Sequence, residues 1–178
     1  MASERRNAFP GPLRRLLFVA AALPGLLLAT ARAGDDAPRP EGSPIFGVTI
    51  PEGYRDWRLV APALEGEPLN ELRAVLGNDT AITAYRDGTL PFPDGTILVK
   101  LAWQHVPSPE FEPATIPGRS TTVQVMVKDA NRYPETGGWG FGRFIDGKPV
   151  DEAQHRTCFA CHEARVKPHD FVFTRYAR

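Results

Sequence analysis

Alternation of apolar and polar positions organises the chain beyond about residue 50. Thr96 to Gln104 sets Ile97, Val99, Leu101 and Trp103 on one face and Leu98, Lys100 and Ala102 on the other. Both faces are mostly apolar, which predicts a buried strand. Thr121 to Lys128 repeats the pattern, with Val123, Val125 and Val127 opposed to Gln124, Met126 and Lys128. Gly137-Gly138 introduces another strand over 139–145, closed by Asp146-Gly147. Earlier, Pro51-Glu52-Gly53 is a turn, Tyr54 to Trp57 a helical turn, and Arg58 to Ala63 a strand. Residues 69–76 fit either a short helix or a strand that stops at Gly77-Asn78. Asn78, Asp79 and Thr80 are capping residues ahead of Ala81 to Tyr85, and Gly88 ends that helix. Pro91 to Gly95 is a tight turn, and the four prolines of 107–118 predict a loop. Val150 to Ala164 reads as a helix and Phe171 to Tyr176 as a last short strand. The expected fold class is α+β, a predominantly antiparallel β-sheet with a few short helices, one of them near the C-terminus.

The N-terminus follows different rules. Arg5, Arg6, Arg14 and Arg15 form a basic region, Leu16 to Ala29 an apolar run, and Ala31-Arg32-Ala33 a small-residue cleavage site. These are the three parts of a secretory signal over residues 1–33. The run is shorter than the ~20 apolar residues of a spanning helix. Gly34 to Pro44 is rich in Gly, Asp, Pro and Ser and reads as a flexible tether. One domain over 45–178 follows, with no internal repeat.

Composition adds exclusions. The 178 residues hold 21 Lys+Arg and 21 Asp+Glu, and removing 1–33 leaves 16 basic and 20 acidic residues, a net of −4. A nucleic-acid binder driven by surplus positive charge is disfavoured. Two cysteines are too few for a disulfide-stapled scaffold. Export implies an oxidising compartment, a bacterial periplasm, with no membrane association after cleavage.

Both cysteines fall in one motif, Cys158-Phe159-Ala160-Cys161-His162. C-x-x-C-H is the attachment signature of c-type haem. Residues three apart share a helical face, so both thiols reach one edge of a porphyrin. His162 then lies beneath the iron as an axial ligand, giving one covalently bound haem c. A redox C-x-x-C remains an alternative, although no βαβ pattern surrounds it. Zinc held by Cys158, Cys161, His155 and His169 is another, although no second C-x-x-C exists. Candidates for a sixth iron ligand are few. Met126 sits in an apolar strand as core filling, His105 at a strand end, and His155 and His169 each seven residues from His162. This pattern suggests an open iron position for a small molecule. Lys100 is the one charge on its strand. Buried there it would be a depressed-pKa nucleophile, and at an edge it would extend to water.

With these residues in place, the chain resembles the cytochrome P-460 family. The resemblance runs from about Pro51 to Tyr176. It is carried by Pro-Glu-Gly-Tyr-Arg-Asp-Trp at 51–57, Asp-Gly-Thr-Ile-Leu-Val-Lys at 94–100 and Val-Lys-Asp at 127–129. Gly-Gly-Trp-Gly-Phe at 137–141, C-x-x-C-H at 158–162 and Phe-Val-Phe-Thr-Arg-Tyr at 171–176 complete it. It implies an antiparallel β fold that forms homodimers and one haem on Cys158 and Cys161 with His162 as proximal ligand. It also implies a distal side open to a small nitrogen-containing ligand or substrate, and a soluble redox partner. In members that oxidise hydroxylamine a strand lysine is joined to the haem, and the matching position is Lys100. Members without the link, such as cytochrome c-prime-beta, resemble nitric oxide binders. A distal carboxylate of linked members is matched by Gln124, whose amide hydrogen-bonds a ligand but accepts no proton at neutral pH. The expectation is an oxidoreductase acting on hydroxylamine or a similar compound. Nitric oxide binding and simple electron transfer are the alternatives.

Overall fold

A computed structural model describes residues 41–177. The expected signal peptide and residues 34–40 of the tether lie outside the described residues. Six strands lie in chain order in one antiparallel sheet: β1 (Arg58–Glu65), β2 (Glu71–Gly77), β3 (Ile97–Pro107), β4 (Thr115–Lys128), β5 (Trp139–Ile145) and β6 (Lys148–Pro149). Helices α1 (Asp79–Asp87) and α2 (Glu152–Val166) complete an α+β fold. The ambiguous segment 69–76 is strand, because Leu72, Ala74 and Leu76 pair with Trp103, Leu101 and Val99 of β3.

The central parts of β3, β4 and β5 bury both faces, as the alternation on β3 and β4 requires. One face packs Val75, Leu98, Phe141 and Trp139 against Ile82 of α1, Phe159 of α2 and the C-terminal segment. The other packs Val99, Val125 and Phe144 against Val48, Trp57 and Tyr133. Asn78 joins two elements. Its side-chain oxygen accepts the Ala81 N–H at 3.0 Å, capping α1, and the Ile97 N–H at 3.1 Å, fixing the start of β3. Ser43, placed in the tether by its composition, is buried. It donates to the Phe141 carbonyl at 2.8 Å and accepts the Val48 N–H at 3.1 Å.

Two expectations are corrected. The proline loop spans only 108–114, and Pro107 and Pro117 lie inside β3 and β4. Pairing of β3 with β2 ends at Gln104, so the hairpin beyond it has free outer edges where a missing N–H costs no ladder bond. Residues 171–176 form no strand. That segment is held by isolated bonds instead: Ala177 N–H to Val60 O at 2.9 Å, and the Tyr85 hydroxyl to Thr174 O at 3.1 Å. Burial pushes the Tyr85 hydroxyl well above its ordinary pKa, so it remains a donor.

Candidate functional site

Helix α2 carries the two thiols, and its first turn is fixed in two ways. The Asp151 carboxylate accepts the Gln154 N–H at 2.8 Å, a cap that draws its pKa below the ordinary value. His155 is fully buried. Its Nε2 accepts the Arg143 N–H of β5 at 3.1 Å, so its proton lies on Nδ1, which donates to Asp151 O at 2.9 Å. Nε2 thus docks the helix on the sheet, and Nδ1 ties the ring to the helix's own N-cap. One turn further on stand Cys158, half-buried, and Cys161, exposed, and both are free thiols. Burial raises the Cys158 pKa, against the lowering pull of the Arg143 charge.

His162 follows directly and is built as a metal ligand would be. Its Nδ1 lies 2.7 Å from the Phe171 carbonyl, which can only accept, so Nδ1 carries the proton and Nε2 keeps its lone pair. Phe141 and Phe173 meet the ring edge-on, with centroids 5.0 and 4.9 Å away. Burial lowers the imidazole pKa. The Phe171 hydrogen bond opposes that shift, and the positive charge of Lys100 adds to it. The ring is thus held neutral and in one tautomer, the state in which an imidazole binds iron.

Lys100 and Gln124 are brought together. Val75, Lys100, Gln124 and Arg143 stand in register across β2, β3, β4 and β5, on the sheet face that packs against α2. Lys100 neither extends to water nor stands unpaired. Its Nζ donates to Glu65 Oε2 at 2.7 Å, and Glu65 Oε1 also meets Arg73 at 3.0 Å. The Gln124 amide donates to Thr122 Oγ1 at 3.0 Å along its own strand. The other candidate ligands have other partners. His105 Nε2 lies 2.6 Å from Asn70 Oδ1, His169 Nδ1 lies 2.7 Å from Val172 O, and Met126 packs in the first apolar cluster. Among the described residues no three His, Cys, Asp or Glu side chains are grouped to hold a metal ion, which the zinc alternative required.

Glu65, Arg143 and the Phe171 carbonyl belong to this site, and the sequence reading did not single them out. Arg143 had a signal, since alternation over 139–145 leaves it the one charge on the face of Trp139 and Phe141. Glu65 had none, because its reach to Lys100 depends on how β1 pairs with the ambiguous segment 69–76.

The donor set fits a c-type haem. Two free thiols lie one turn apart on a helix, and a neutral imidazole follows with Nε2 available. Arg143 Nε is buried without a partner, a donor suited to an acidic haem substituent. A family model described as Cytochrome P460 matches residues 51–174. No curated protein matches the chain.

Proposed function

The chain belongs to the cytochrome P460 family and is a c-type haem protein; on that premise we propose that it is a periplasmic oxidoreductase acting on hydroxylamine or a similar small nitrogen compound. In this reading Cys158 and Cys161 would hold one haem covalently and His162 would bind its iron through Nε2. The observation that carries it is the hydrogen bond from His162 Nδ1 to Phe171 O, which leaves Nε2 free one residue beyond the second thiol. Bound haem supplies a redox-active iron with a coordination position for a small ligand. The protein's residues do the rest. Phe141 and Phe173 orient the imidazole. Lys100 stands on the same face, at the position proposed to adjoin or join the haem edge. Glu65 holds the Lys100 ammonium in place there, beside the uncharged amide of Gln124. Electrons leave to a soluble redox partner.

The deciding assay supplies hydroxylamine and a soluble electron acceptor to the haem-loaded protein. Catalysed consumption is expected, and it falls in Lys100→Ala. An unchanged hydroxylamine concentration rejects the enzymatic reading. The second reading, nitric oxide binding, is favoured by Gln124, whose amide stabilises a ligand without accepting its proton. It requires the ferrous protein to bind nitric oxide in the same preparation. A second protein ligand that leaves the iron low-spin in both oxidation states would point instead to simple electron transfer.

A further inference from the structure

Lys128 is a buried charge that the proposed function does not use. It ends β4, with 6 % of its side chain exposed. Its Nζ donates to both oxygens of Asp170, each at 2.8 Å, and to Gly137 O at 2.9 Å, and it lies 5.0 Å from the Trp139 ring centre. An ammonium has three hydrogens, and these three acceptors can take all of them. Asp170 Oδ2 also accepts the Phe92 N–H at 2.8 Å, so the carboxylate ties the C-terminal segment both to β4 and to the turn before β3.

The residue after Asp170 is Phe171, whose carbonyl meets His162. Asp170 and Phe171 have φ of 48° and 63°, two consecutive left-handed residues with side chains. Such a pair does not persist without support. The support comes from the ion pair on one side and from the Phe171 N–H donating to Val166 O at 3.0 Å on the other. The Phe171 ring fits against Gly137, where an added Cβ would stand 2.2 Å from a ring atom. The carbonyl is therefore held in place by a buried charge pair anchored on the sheet.

We propose that Lys128 and Asp170 are positioning residues for the axial histidine, holding the Phe171 carbonyl against His162 Nδ1 and so setting the electron donation of Nε2 to iron. The proposal rests on the reading of His162 as axial ligand. A firm Nδ1–H···O bond makes the imidazole a stronger donor and favours the ferric state, whereas loosening it favours the ferrous state.

The test uses haem-loaded protein and two readouts, the reduction potential and the iron–histidine stretching frequency of the ferrous form. Lys128→Met keeps the chain length and removes the charge. The potential is expected to rise by about 59 mV, a tenfold change in the ferrous-to-ferric ratio for one electron, and the stretching frequency to fall. Asp170→Asn shifts both in the same direction and to a smaller extent. It keeps an acceptor for Phe92 and tolerates the left-handed conformation, and so serves if Lys128→Met does not fold. Val48→Ala, in the other apolar cluster, lowers the melting temperature and leaves both readouts in place. The proposal is overturned if the Lys128 and Asp170 variants move the readouts no further than Val48→Ala does. If wild-type protein shows no iron–histidine stretch that His162→Ala removes, the axial reading itself fails, and that is visible before any Lys128 variant is measured.

Discussion

Glu65 holds two cations at the candidate site, Lys100 at 2.7 Å and Arg73 at 3.0 Å, with all three side chains below one-fifth exposed. Partial burial places this group between an exposed ion pair, worth little, and a fully buried one, whose disruption costs several kcal/mol. Glu65→Gln leaves both cations without an anion, and we expect a loss of about 1–2 kcal/mol, in the lower part of that interval. A urea titration checks it, through a lower midpoint at unchanged slope. At this scale the residues proposed to bind haem were legible as a group because C-x-x-C-H is local: spacing along one helix fixes their relative placement. The Lys100 partner was not, because Glu65 lies 35 positions away and reaches it only through the register of β1 on β2 and β2 on β3. Gln124 was singled out through the family resemblance, but its place opposite Lys100 comes from the register of β3 on β4, which alternation within each strand leaves open. Its bond to Thr122 was not legible either.

The elements that build the site are α2, β3 to β5 and the irregular segment after α2. Strands β3, β4 and β5 were legible as alternating runs, and α1 from its caps. The segment 171–176 alternates like a strand, yet it forms none: its carbonyls meet the side chains of His162 and Tyr85, and the one backbone bond to β1, from Ala177 to Val60, is isolated and builds no ladder. Periodicity reports which side chains are buried and leaves open which backbone groups pair. The same segment explains Gly137. Gly137 has a φ of 65°, and the Phe171 ring fills the space a Cβ would need. Gly137→Ala is expected to cost about 2 kcal/mol or more, through strain and overpacking together. It should also loosen the His162 hydrogen bond. Calorimetry gives the stability, and the iron–histidine stretch of the loaded protein shows whether the segment has moved.

At the scale of the molecule, one sheet separates two apolar clusters among the described residues, and the one beneath α1, α2 and the C-terminal segment adjoins Cys158 and, through Phe141, His162. Burial of His162 beside that cluster predicts a pH dependence of stability in a haem-free Cys158→Ala/Cys161→Ala chain. The folded His162 pKa lies below the ordinary imidazole value of 6.5. As pH falls through about 6.5 the unfolded chain takes up the proton before the folded one does, so this contribution to stability declines on acidification and is constant above neutrality. Urea midpoints recorded from about pH 8 down to pH 5 should show the decline, and His162→Phe should remove that part of it. The most direct test of the account is the intact mass of protein matured with c-type haem in a periplasm, measured after denaturation. The account predicts a chain carrying the mass of one haem that denaturation does not release. A chain at its bare polypeptide mass would contradict it.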